Sequence, residues 1–214
     1  MTTIPYRERP ADGEPAGLLI LHHGRGSDEN DLIGLADVLD PDRRLHVVSP
    51  GGPLLISGLP GRHWYVIGTI EHPNPESFNT QLGVLREFHE ETRRRTGVGP
   101  ERTVLGGFSM GGVMSYASGL DPEAPAPAGI FTMGSFFPHA EGFAPDLAGR
   151  AATTPVLVTH GRADQVIAPE FGERARDLLQ DAGFAVDFAL HDGPHRVEPS
   201  QATAVQRWID EVLA

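Results

Sequence analysis

Thr103-Val104-Leu105-Gly106-Gly107-Phe108-Ser109-Met110-Gly111-Gly112-Val113 is the stretch on which the fold of this chain turns. Its opening, 103–106, is short and apolar, as suits a strand buried on both faces. Its end runs into a helical segment, 113–120, with small residues at Ser115, Ala117 and Ser118. Between the two, Gly107-Phe108-Ser109-Met110-Gly111 makes a sharp strand-to-helix turn. A serine pushed into a strained conformation there needs neighbours without a Cβ. Its hydroxyl would stand at a helix N-terminus, where backbone N–H groups favour developing negative charge. The pattern alone identifies little in a chain with 26 glycines, and a packing turn with a structural serine is the plainer alternative. The flanking strand and helix favour a reactive Ser109.

The same alternation extends in both directions. Short apolar runs at 17–22, 45–49, 129–133, 155–160 and 185–190 each end at or close before a glycine. Between them lie stretches of helical period. Phe78, Leu82, Leu85 and Phe88 form one apolar face. Phe171, Ala175, Leu178, Leu179 and Ala182 form another, with Gly183 as its stop. Ala202, Val205, Trp208, Ile209 and Val212 form the last, with Ser200 as its expected N-cap. Strand alternating with helix predicts an α/β fold, a mostly parallel sheet flanked by helices, built as one domain over 1–214. Working residues are then expected at the C-terminal ends of the strands.

Composition narrows the function classes. The net charge is −12, 29 acidic residues against 17 basic, so neither nucleic acid nor an anionic membrane surface is expected as a partner. The chain has no cysteine, which excludes disulfides, thiolate metal sites and a cysteine nucleophile. The segment 1–17 carries Arg7, Glu8, Arg9, Asp12 and Glu14 and does not read as a secretory signal; no apolar run approaches a membrane span, so the expected location is the cytoplasm. No phosphate-binding loop or zinc spacing appears. The acidic run Ser27-Asp28-Glu29-Asn30-Asp31 lacks the spacing and turn glycine of a calcium loop and reads as a solvated helix start. No metal and no organic cofactor are expected. Homo-oligomerisation is left open.

A serine hydroxyl needs a base to become a nucleophile. Four histidines follow Ser109: His139, His160, His191 and His195. His160 precedes the acid candidate in the chain, and His139 lies in a Pro- and Gly-rich stretch. His191 ends a strand, whereas His195 stands on the loop beyond Gly193, free to reach over the sheet edge; His195 is preferred. Asp164, on the loop after 155–160, is the expected orienting carboxylate, although a turn aspartate or helix cap would look the same. Oxyanion donors are expected at the N–H of Met110, just after the serine, and the N–H of Arg25, in the glycine-rich loop after the first apolar run.

Four segments together resemble the phospholipase/carboxylesterase branch of the α/β-hydrolases, which includes the acyl-protein thioesterases. Leu21-His22-His23-Gly24-Arg25-Gly26 resembles the family's Leu-His-Gly-x-Gly with one extra histidine. Gly107-Phe108-Ser109-Met110-Gly111 resembles its Gly-Phe-Ser-Gln-Gly, with Met110 in place of the glutamine. His160-Gly161 with Asp164, and Gly193-Pro194-His195, complete the order. The resemblance implies a single-domain α/β-hydrolase that cleaves small or accessible carboxylic esters or thioesters through an acyl-enzyme on Ser109. It also implies that Trp64 lines the acyl site, unless that aromatic is packed under a long loop. Arg25 stands where an aliphatic residue is frequent. The short segment 134–154 leaves little chain for a lid and implies an open site. A serine peptidase or amidase on the same fold, or a binding module that has kept the fold without catalysis, are the competing readings.

Overall fold

The computed structural model describes residues 4–214. Seven strands form one sheet: β1 (Tyr6–Arg9), β2 (Gly17–His22), β3 (Leu45–Pro50), β4 (Thr103–Phe108), β5 (Gly129–Met133), β6 (Val156–Gly161) and β7 (Val186–His191), in the order β1-β3-β2-β4-β5-β6-β7. All neighbours are parallel except β1, which runs antiparallel to β3. This is the α/β-hydrolase architecture, and the expected mostly parallel sheet is present.

The central strands are buried along their length, except for the half-buried Phe108 at the end of β4, because helices cover both faces. On one face α1 (Ala36–Leu39) and α6 (Pro199–Val212) enclose Leu19, Leu21, Val104 and Phe131. On the other, α2 (Pro75–Thr96), α3 (Met110–Gly119) and α5 (Pro169–Asp181) bury Phe78, Leu82, Met114, Ile130 and Leu179. A short α4 (Leu147–Arg150) precedes β6. Among the described residues no helix is long and apolar enough to cross a membrane.

Two local features differ from the sequence-based expectation. The strand β1 has no apolar pattern, since an edge strand is held by main-chain pairing and tolerates charge. Helix α6 begins at Pro199, not after Ser200. Its N-cap is Glu198, in a reciprocal capping box with Gln201, and Pro199 suits the first helical position because the N–H it lacks has no partner there. The acidic run near Asp28 leads into a helical segment as expected: the Asp28 carboxylate accepts from the Asn30 main chain at 2.8 Å, and a 3-10 turn at Leu32–Leu35 follows with Asp31 at its N-cap.

The edge strand is anchored by a buried ion pair. Arg9 donates to the Asp40 carboxylate at 2.5 Å. The same carboxylate accepts the Leu45 N–H at 2.8 Å and the Arg44 N–H at 3.0 Å. Asp40 therefore joins β1, the end of α1 and the start of β3. Removing one partner of a buried pair strands the other charge. Asp40→Ala should lower the unfolding free energy by about 3–5 kcal/mol, whereas Arg9→Met with Asp40→Leu should cost markedly less. Urea titration of both variants measures the difference.

Candidate active site

Ser109 occupies the turn between β4 and α3 with φ 54° and ψ −121°, a conformation that side-chain-bearing residues rarely hold. Two glycines make this turn sterically feasible. A Cβ at Gly107 would come within 2.5 Å of the Gly111 backbone, and a Cβ at Gly111 would come within 1.9 Å of the His22 carbonyl oxygen. Helix α3 starts at Met110, three residues earlier than its apolar pattern suggested, because the close approach takes place inside its first turn.

The end of β6 and the loop after β7 bring two further side chains to this serine. His195 Nε2 lies 3.0 Å from Ser109 Oγ, and His195 Nδ1 lies 2.6 Å from Asp164 Oδ2. The Phe108 ring packs on the imidazole at a centroid distance of 4.7 Å. Asp164 divides its two oxygens between two tasks. Oδ1 accepts the N–H groups of Val166 and Ile167 at 2.9 and 2.8 Å, the bonds of a turn aspartate. Oδ2 faces His195. One buried carboxylate makes both sets of contacts.

His191 is held elsewhere: its Nδ1 accepts the Gly193 N–H at 3.2 Å, within its own loop. His160, buried beside Asp164, donates from Nε2 to the Ile167 carbonyl at 2.8 Å. Burial first, offset in part by that bond, holds His160 below the usual imidazole range.

The loop after β2 sits against the turn from the other side, and four bonds fix it. His23 donates from Nδ1 to the Gly24 carbonyl at 2.6 Å and accepts the Gly52 N–H at Nε2 at 2.8 Å. Trp64 Nε1 donates to the His23 carbonyl at 2.8 Å. Gly26 N donates to the Arg62 carbonyl at 3.0 Å. Trp64 is fully buried against His22 and His23 and is absent from the wall of the active-site cavity. The expectation that it lines the acyl site is corrected accordingly: its indole holds up the loop from beneath. The extra histidine of the loop motif is explained by the same packing. His22 donates from Nδ1 to Ser115 Oγ at 2.8 Å, Ser115 donates to the Gly111 carbonyl at 3.0 Å, and His89 donates to His22 Nε2 at 3.0 Å. This chain ties α2 through β2 to the serine turn.

Arg25 and Met110 face the same cavity as Ser109. Neither amide N–H finds an acceptor among the described residues, and Met110 is a first helical residue whose N–H has none within its helix. The cavity holds about 480 Å³ and is lined mostly by apolar groups, including Tyr65, Ile67, Ile70, Met110, Phe136 and Ile167. Much of its outer wall comes from 51–74, the long connection between β3 and α2, rather than from 134–154. That segment is fastened: His139 N donates to the Glu71 carbonyl at 2.7 Å, His72 donates to the His139 carbonyl at 3.2 Å, and Arg174 pairs with Glu71 at 2.9 Å. Sequence reasoning missed these wall residues because an irregular segment has no period. The apolar cluster Val66, Ile67 and Ile70 was the available signal.

Fold and turn together define a class, the serine hydrolases built on the α/β-hydrolase sheet. Within it the chain belongs to the phospholipase/carboxylesterase family, whose model matches residues 9–213. It is 27% identical over 223 residues to acyl-protein thioesterase 1 of Neurospora crassa, covering 95% of this chain and 90% of that protein. It is 25% identical over 201 residues to the putative hydrolase MhqD of Bacillus subtilis, covering 94% and 96% of the two chains. Among solved structures, esterase PE8 superposes with a TM-score of 0.83 at 26% identity, covering 98% of this chain and 99% of that one. Acyl-protein thioesterase 2 of Zea mays has the same fold, with a TM-score of 0.82 at 22% identity over 98% and 99% of the two chains.

The buried His22–His89 pair has a consequence for stability. Burial, joined by the neighbouring His23, pushes His22 down to about 3, and burial, with the repulsion a second proton would meet from His22 and from Arg93, lowers His89 well below its ordinary value. Both imidazoles are neutral in the folded protein but titrate near 6.5 once unfolded. The unfolded chain then binds more protons, so stability is full above pH about 6.5 and is lost as pH falls toward the folded values. Each such imidazole adds about 1.4 kcal/mol per pH unit to the slope. His89→Gln, which can still donate to His22, should reduce the slope by about that amount between pH about 4 and 6. Urea unfolding across this range measures it, and an unchanged slope would show that His89 is not held neutral.

Proposed function

We propose that the protein hydrolyses carboxylic esters or thioesters with small or accessible acyl groups through an acyl-enzyme on Ser109. The observation that carries this reading is the continuous contact from Asp164 through His195 to Ser109, at 2.6 and 3.0 Å, at the mouth of an apolar cavity. Family membership and the thioesterase and esterase relatives support it.

In this mechanism the acyl chain lies against the apolar wall and its carbonyl carbon is set near Ser109 Oγ. His195 Nε2 takes the hydroxyl proton as Oγ bonds to the carbonyl carbon. Asp164 keeps the Nδ1 proton oriented and stabilises the imidazolium that forms. The negative charge moves to the carbonyl oxygen, where the N–H groups of Met110 and Arg25 receive it. Collapse expels the alcohol or thiol, which takes the proton from His195. Water then repeats the sequence on the acyl-enzyme, returning the carboxylic acid and free Ser109. The strained turn holds the hydroxyl in place before substrate arrives, so little reorganisation remains for the reacting state.

A mass-spectrometric search after fluorophosphonate treatment should find the adduct on Ser109. Ser109→Ala should reduce kcat/KM by several orders of magnitude with the fold intact by circular dichroism. His195→Ala should abolish acylation and His191→Ala should leave substantial turnover. An adduct on another serine, or the opposite histidine result, would overturn the assignment.

Substrate length is set by the cavity wall. A cavity of about 480 Å³ gains apolar contact with each methylene only until it is filled. Rates on p-nitrophenyl esters from acetate to palmitate should therefore peak among the shorter chains, with no jump where a substrate passes its solubility limit. Ile70→Ala should move the optimum to longer chains. Trp64→Ala should slow all lengths alike, because it loosens the loop beneath Arg25 rather than the wall. A jump in rate above the solubility limit, with long chains preferred, would refute this scope.

A further inference from the structure

Cations in this acidic chain are almost all occupied. Its 17 basic residues are all arginines, and its net charge is −12. Among the described residues every arginine except Arg25, Arg93 and Arg207 is paired with an oxygen of a carboxylate, an amide or a main-chain carbonyl. Of these three, only Arg25 lines the cavity that contains Ser109. A guanidinium left without an acceptor among so many carboxylates is available to a ligand.

The surroundings of Arg25 keep it available. The rest of the cavity wall is mainly apolar, and Arg25 is the one arginine in it. His63, buried behind the loop, is held below the usual imidazole range by its burial first and by the charge of Arg25 second, so it adds no competing cation. Asp31 lies in the same wall but forms no ion pair with Arg25 within 4.0 Å and has no side-chain hydrogen bond to the helix it precedes. Asp28 is engaged with Asn30, and Glu29 lies 3.6 Å from Arg62. The planar fork of an arginine matches a carboxylate through two parallel N–H···O bonds, a geometry that a neutral ester cannot satisfy.

We propose that Arg25 is a specificity-determining residue that selects ester substrates bearing a carboxylate close to the scissile bond. The main-chain N–H of Arg25 serves the oxyanion, and its side chain reads a charge on the same substrate. Asp31 opposes that preference, so the selectivity reflects the balance of the two. The inference rests on the ester-hydrolase reading of the Ser109 site.

The test compares kcat/KM for matched anionic and neutral esters within each variant. On the acyl side the pair is p-nitrophenyl hydrogen adipate and p-nitrophenyl hexanoate; on the leaving-group side it is 4-acetoxybenzoate and its methyl ester. A disturbed oxyanion loop would slow both members of a pair, so their ratio isolates the guanidinium. Arg25→Gln should lower the anionic-to-neutral ratio by roughly five- to tenfold in at least one pair, and Asp31→Asn should raise it. The preference should fade as salt is added, since the guanidinium is exposed. Ratios in Arg25→Gln within twofold of the unsubstituted protein in both pairs would overturn the role of Arg25 while leaving the hydrolase intact. Absence of turnover of all four esters by the unsubstituted protein would instead overturn the reading of the site and this proposal with it.

Discussion

The site depends on the close approach of two backbones. The first turn of α3 lies so near the end of β2 that Gly111 touches the carbonyl of His22, with no room for even a methyl group between them. That contact brings Met110, on the helix, and Arg25, on the loop, to the same cavity, although 85 residues of chain separate them. Two donors converge on one cavity because the parallel register sets His22 opposite Gly107, so β2 and β4 end level with each other. Ser109 takes its strained conformation at the same junction, and neighbouring bonds hold it there: its N–H donates to the Met133 carbonyl at 2.9 Å and its carbonyl accepts from Ser135 Oγ at 2.9 Å.

Much of the polar material beneath this junction is neutral, and its neutrality follows from burial. His22, His23 and His89 hydrogen-bond as uncharged imidazoles, each ring nitrogen of His22 and His23 being donor or acceptor to a named partner. An apolar filler of the same shape would leave the Ser115 hydroxyl and the Gly52 N–H without these contacts. Trp64 belongs to this supporting layer, with its N–H on the His23 carbonyl. The layer above it, 51–74, supplies apolar wall and is pinned at Glu71 and His72. Support and recognition are thus built from adjacent residues of one connection: Trp64 faces inward, and Tyr65 and Ile67 face the cavity.

The legible parts of the sequence were those with a local physical signature. Buried parallel strands appear as short apolar runs, and the observed strands match the expected runs to within two residues at either end. Gly183, with φ 90° just past α5, closes that helix as its type suggests. The loop position of His195 beyond Gly193 distinguished it from His191 because a strand-terminal side chain is aimed by the sheet, whereas a loop side chain can cross its edge. The strand β1 was not legible, since its hold on the sheet is main-chain pairing and one ion pair to Asp40. Glu198 was passed over for Ser200 because a glutamate caps a helix only when Gln201 returns the bond, a pairing that spacing suggests but only geometry completes.

The sequence by itself determined the α/β alternation, the serine turn and the order in which Ser109, Asp164 and His195 occur, because strand burial, turn sterics and chain order are properties of neighbouring residues. Tertiary structure alone decided that Trp64 lies under the loop after β2 instead of along the cavity wall, that Asp164 caps its own turn with one oxygen and meets His195 with the other, and that Arg25 is left without an acceptor among the described residues. Each of those outcomes depends on which distant group fills the space around a side chain. That is settled by packing the sheet, its helices and the 51–74 connection together, and no local pattern in the chain encodes it.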